Sequence, residues 1–192
     1  MRQRASLAIA GLGLLAACAT TGDAPVPPDP VPGPGAVATA EAVATVAETV
    51  CLAAQAAGQR LPAYVASRGP AGLGLRPAPP PESGWVTTKA PRVFVGEWQS
   101  ACFAYAVAPE PGTMATLIST LARPVGSRLE PELRAADGAT TRRICRERTR
   151  LTVIEGNGPK GLPLVGVGTP PTPRPCDALA PALPRLRTDD RS

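Results

Sequence analysis

Six prolines stand in the ten residues from Pro25 to Pro34, and proline gathers again at Pro77–Pro81 and from Pro170 onward. Proline fixes φ and has no backbone N–H, so such runs cannot continue a helix or a central strand. The chain has 25 prolines and 19 glycines in 192 residues, close to the level at which unstructured sequence is expected. Because they cluster, they bound the folding part instead of dissolving it. Residues 36–168 are expected to form one small domain, with a Pro-rich tether over 18–35 and an unstructured Pro-rich tail over 169–192. Polyproline geometry at about 3.1 Å per residue would let the tether hold the domain about 30–40 Å from its anchor.

The segment before the tether reads as an export signal over 1–17. Arg2 and Arg4 are followed by an uncharged run whose apolar part, Leu7–Leu15, is too short to span a bilayer and contains two glycines. Leu15-Ala16-Ala17-Cys18 closes it and resembles the lipobox of bacterial lipoproteins. That resemblance implies cleavage before Cys18, acylation of its thiol and new amino group, and a lipid anchor in the bilayer. Two or three acyl chains suffice for stable anchoring. Ala19, where an aspartate would favour the inner membrane, implies the periplasmic face of the outer membrane. The alternative is an ordinary secretory signal cut after Ala17-Cys18-Ala19, giving a secreted soluble protein.

Within the domain, apolar spacing predicts a helix over Val37–Ala57, ended by Gly58, and a short helix from Pro62 toward Ser67. Glycines 69, 72 and 74 and the prolines after them predict a loop. All six aromatics fall between Tyr64 and Tyr105. Arg92–Trp98, with Phe94, Gly96 and Trp98 on one face, and Cys102–Val107, with Phe103, Tyr105 and Val107 on one face, predict an antiparallel hairpin. This hairpin is expected to hold most of the large apolar volume and to form the core. Pro111–Ala122 returns to helical spacing. Asp137-Gly138 predicts a tight turn between strands, and Leu151–Ile154 with Leu164–Val167 predicts a further hairpin. The order implies an α+β fold, one antiparallel sheet with helices packed on one face. In that order, and in having one cysteine on the first helix and another on a strand, the chain is similar to small envelope lipoproteins of Gram-negative bacteria.

There is no histidine. That excludes Ser-His-Asp and Cys-His nucleophile pairs, imidazole metal ligands and histidine proton shuttles. Beyond Cys18, the cysteines are Cys51, Cys102, Cys145 and Cys176. An even number in an exported chain favours disulfides, with three connectivities open to four thiols. Cys51–Cys102, joining helix to sheet, and Cys145–Cys176, pinning the tail, are preferred. A four-thiolate zinc site is the rival, but there is no C-x-x-C pair and the compartment is oxidising. Neither metal nor cofactor is expected. Gly156-Asn-Gly-Pro-Lys-Gly161 spells G-x-G-x-x-G, but the sequence after it is extended and carries a proline, so it reads as a hairpin loop, not a nucleotide site.

Loss of the signal leaves 18 basic against 15 acidic side chains, and the segment Arg142–Arg150 holds five arginines and one glutamate. On a strand, Arg142, Arg146, Arg148 and Arg150 would share one face with Ile144, an anion-facing ladder for lipid phosphates, lipopolysaccharide or acidic cell-wall polymers. A solvated sheet face is the plainer reading of the same residues. Nucleic acid is not an expected partner. No catalytic residue is assigned, since no serine sits in G-x-S-x-G or S-x-x-K. A glycan hydrolase built on paired carboxylates stays open as the alternative, with Glu97, Glu130, Glu132 and Glu155 as the candidates. The sequence therefore points to a non-enzymatic lipoprotein that binds or scaffolds an envelope component.

Overall fold

The structure is a computed structural model that describes residues 31–80, 82–146, 149–158, 161–171 and 176. The signal segment, the lipobox with Cys18, most of the tether and most of the tail lie outside the described residues.

Helix α1 (Pro34–Val46) opens with proline in the first turn, where a missing N–H costs nothing. Its free N-terminal amides are met by Glu110, whose carboxylate accepts from the Ala36 N–H at 3.1 Å. A negative group there also complements the helix dipole. The helix passes through a π-helical segment (Ala47–Leu52) into one last turn, α2 (Ala53–Ala56). The wider π turn reduces the angle between adjacent residues, and Val50 and Cys51 are both buried. The run Pro34–Ala56 is long and apolar enough to cross a membrane, but Ala40, Val43, Ala47 and Val50 are spent on the protein core. Helix α3 (Leu61–Arg68) carries Pro62 in its first turn and stops at Gly69, whose φ of 75° suits glycine.

The stretch expected to be loop after Gly69 instead contains a 3-10 turn and a short strand, β1 (Leu75–Pro77). Strands β2 (Trp85–Thr87), β3 (Phe94–Trp98) and β4 (Ala101–Val107) continue an antiparallel meander from it. Gln99 and Ser100 join β3 to β4, both with positive φ, the backbone of a type I′ hairpin turn. Helix α4 (Thr113–Leu121) then carries the chain across the sheet. Strands β5 (Arg128–Leu129), β6 (Leu133–Arg134), β7 (Thr140–Arg146), β8 (Thr149–Asn157) and β9 (Pro163–Thr169) return from the far edge until β9 pairs with β4. The result is a nine-stranded antiparallel sheet in the order β1-β2-β3-β4-β9-β8-β7-β5, with β6 also on β7. The fold is α+β, as the order of elements implied.

Register assigns each side chain to a face. Val95, Ala104, Val167 and Val153 lie in one cross-strand row and belong to the buried cluster under α1 and α4, with Val43, Leu117, Leu121, Ile144 and Leu151. This core is aliphatic. The expectation that the aromatic hairpin forms the core is corrected: Phe94, Trp98, Phe103 and Tyr105 lie on the opposite face and remain half-exposed. Alternation placed them together, but Ala104 and Ala106 give the helices a close approach that rings would block. Of the aromatics, Tyr64 is buried on α3 and Trp85 packs against the core.

Candidate functional site: an aromatic groove on the open sheet face

Two neighbouring rows build the open face. Phe94, Tyr105, Gly166, Ile154 and Thr141 form one, and Gly96, Phe103, Gly168, Thr152 and Arg143 the next. Each large ring of β4 thus stands beside a glycine. The space a side chain would take at Gly166 is filled by Tyr105, and at Gly168 by the Phe103 ring. Phe94 stacks on Tyr105 with ring centroids 5.4 Å apart, and Trp98 meets Phe103 edge-on at 6.0 Å. Both are favoured aromatic geometries, and they hold the rings against one another.

Two adjoining cavities of about 300 and 210 Å³ run over these rings and share Glu82, Tyr105 and Leu164. Glu82 and Ser83 lie on one side, and the Ser83 carbonyl would sit 3.6 Å from a side chain at Gly96. Leu162 and Leu164, from the β8–β9 connection and β9, lie on the other. The groove opens toward Val107 and Leu162, which are 37% and 48% exposed. Burial chiefly, and the Glu82 carboxylate next, push the Tyr105 phenol above its ordinary value, so it stays a hydrogen-bond donor through neutral and mildly alkaline pH. No lysine or arginine is among the described residues that line the groove.

The arginine segment is arranged differently from the one-face ladder expected. β7 ends at Arg146 and the hairpin reverses, so Arg142, Ile144 and Arg146 point toward the helix side while Arg150, opposite Cys145, points to the other. Arg148 lies outside the described residues. A turn in the middle of the run, which alternation could not signal, divides the charges. They are also engaged: Arg146 with Glu48, Arg142 with Glu132 at 3.1 Å, and buried Arg150 with Glu130 at 3.0 Å and the Cys176 carbonyl. Hydrogen bonds from Arg134 and Arg142 hold the Glu132 carboxyl below its usual value.

Cys51 stands beside Cys102 with Cα atoms 5.5 Å apart, and Cys145 beside Cys176 at 5.6 Å, separations compatible with disulfide bonds. These are the two pairs preferred from the sequence. A cavity of about 70 Å³ beside the first pair has room for little more than water. Three of the carboxylates considered for hydrolysis pair with arginines: Glu97, which also lines the larger cavity, binds Arg60 through Oε1 while its Oε2 is buried without a partner, Glu130 binds Arg150, and Glu132 binds Arg134 and Arg142. Glu155 is exposed on β8. Among the described residues, no group of three or more Cys, Asp or Glu could hold a metal ion.

Sequence reasoning saw that Phe94, Gly96 and Trp98 share a face, and Phe103, Tyr105 and Val107 another. It missed that both sets lie on the face away from α1 and α4. The glycines of β9, aligned between apolar residues at Gly166 and Gly168, were the available signal. Comparison with known proteins finds no matching family model, no matching curated protein and no matching solved structure.

Proposed function

We propose that the chain is a lipoprotein held by acylated Cys18 on the periplasmic face of the outer membrane. Its α+β domain binds an envelope component along the open sheet face. The observation that carries the binding half is the groove of half-exposed rings over glycines, with a few polar groups at its side. An apolar, aromatic concavity with a small number of placed polar groups is the usual form of a ligand site. The lipobox residues carry the anchor. Glu110, three residues beyond the end of β4, caps the start of α1. The tether therefore joins the domain near the Val107 end of the groove.

Among the envelope partners considered, a cell-wall polymer suits this groove better than anionic lipid or lipopolysaccharide, because Arg142, Arg146 and Arg150, the described arginines expected to meet phosphate, are engaged by glutamates. Two measurements test the reading. Intact mass of the mature protein, with and without reductant, is expected to show diacylglycerol and acyl mass on Cys18. A mass matching a chain cut after Ala19 would overturn the anchor. Retention on purified sacculi is expected to fall with Trp98→Ala and to persist in the Arg142→Gln/Arg146→Gln double variant. The reverse pattern would overturn the groove.

A further inference from the structure

We infer that the ligand of the groove is an uncharged glycan strand. The inference rests on the reading of the groove as the binding face and adds the chemical class of what lies there. Three observations select that class.

The first is charge. Glu82 lines both halves of the groove and no described lysine or arginine lines either. A phosphate, sulfate or uronate strand would meet a like charge and, among the described lining residues, no counter-charge, which costs binding. The second is the mixture of groups. A sugar ring has flat C–H faces that lie against aromatic rings and hydroxyls at its edge. The groove offers both matches: Trp98, Phe103 and Tyr105 as surfaces, with Glu82, Ser83 and the protonated Tyr105 phenol as partners. A hydrocarbon chain would fit the rings, but it would strip water from Glu82 without replacing a hydrogen bond. The third is extent. From Ala101 to Val107 the β4 face runs about 20 Å at about 3.4 Å per residue, room for several sugar rings in line. The groove is open rather than enclosed at the Val107 and Leu162 end, so a polymer can continue past it.

The experiment titrates the chain from Ala19 onward, made without the lipid so that vesicle binding cannot come from the anchor, with an N-acetylglucosamine tetramer, a glucose tetramer and a galacturonate tetramer, and with phosphatidylglycerol-containing vesicles, by calorimetry. At least one neutral tetramer is expected to bind, with the galacturonate tetramer at least about tenfold weaker. Trp98→Ala is expected to weaken the neutral ligand about tenfold or more, and Tyr105→Phe by about threefold. Arg142→Gln, away from the groove, is expected to leave the affinity unchanged, and far-ultraviolet circular dichroism checks that each variant is folded. A conservative Trp98→Phe variant, which keeps a ring, is expected to bind between the two. The inference is overturned if only the galacturonate or the vesicles bind, or if Trp98→Ala binds the neutral tetramer as tightly as the parent. It is also overturned if neither neutral tetramer binds this chain or the same chain ended at Cys176, which removes residues 177–192 as a competing occupant. Loss of sacculus retention on Trp98→Ala would still stand in that case, so failure of the glycan class is distinguishable from failure of the groove.

Discussion

Replacing Gly166 by alanine isolates the packing that defines the open face. A Cβ at this position would sit 2.7 Å from the Tyr105 Cβ and 2.9 Å from the Ala104 carbonyl oxygen. Carbon atoms prefer about 3.5–4.0 Å. Neither neighbour can rotate away, because one is backbone and the other is fixed to it, so β4 and β9 must move apart. Overpacking of this kind costs about 1–3 kcal/mol. Alanine also narrows the unfolded ensemble, which returns about 0.4–1 kcal/mol. The net expectation is a loss of about 1–2 kcal/mol. Two sister substitutions give the scale. At Gly168 the new Cβ meets the edge of the Phe103 ring at 2.7 Å, and a ring can swing, so the loss is below about 1 kcal/mol. At Gly96 the nearest atom is the Ser83 carbonyl oxygen at 3.6 Å, ordinary contact, and the change is neutral or slightly stabilising. Equilibrium urea unfolding with unchanged slope reads the order directly. A Gly166→Ala protein as stable as the parent, or a Gly96→Ala protein less stable than Gly166→Ala, would refute this account of the face.

The other expectations concern what braces the domain. Cys51→Ala/Cys102→Ala opens a loop of sequence separation 51 and is expected to lose up to about 4 kcal/mol in urea, and Cys145→Ala/Cys176→Ala slightly less. Peptide mapping without reductant that found four free thiols would contradict both. Glu130→Gln leaves the buried Arg150 guanidinium short of its carboxylate and is expected to cost about 2–3 kcal/mol. Glu132→Gln breaks only exposed pairs and should change the urea midpoint little. In a Tyr64→Phe background, the ultraviolet phenolate signal of Tyr105 should appear above the ordinary tyrosine pH, and Glu82→Gln should bring it partly back. Because the folded value is raised, the associated stability is complete below the ordinary value and is lost as pH rises through the folded one. Acid should leave this contribution untouched, and a phenolate transition at or below the ordinary value would refute the burial of Tyr105.

Local chemistry made much of this fold legible. Pro62 marks a helix start, Asp137-Gly138 marks a turn, and alternation from Phe94 to Trp98 and from Cys102 to Val107 sorts residues onto faces, whereas Pro34, counted with the tether, opens α1. Sequence alternation says which residues share a face, not which face the helices cover. That choice rests on Ala104, Ala106 and Val95 meeting α1 and α4, a contact between distant segments. The arginine segment fails for a related reason: Arg142 through Arg150 looks like one strand, and only the pairing of β7 with β8 reveals that the chain turns between Arg146 and Thr149. Glu48, Glu130 and Glu132, which engage these arginines, come from a helix and from loops that no spacing rule links to them.

In the function proposed above, the open aromatic face, not the arginine segment, meets the partner. Amide chemical-shift mapping with soluble glycan fragments released from sacculi tests it without relying on any variant. Perturbations are expected to be confined to residues 82–83, 94–98, 103–107, 154, 158 and 162–168, which line or build the groove, with residues 142–146 unchanged. Shifts centred on Arg142 and Arg146, with the amides of Trp98 and Tyr105 unmoved, would contradict it.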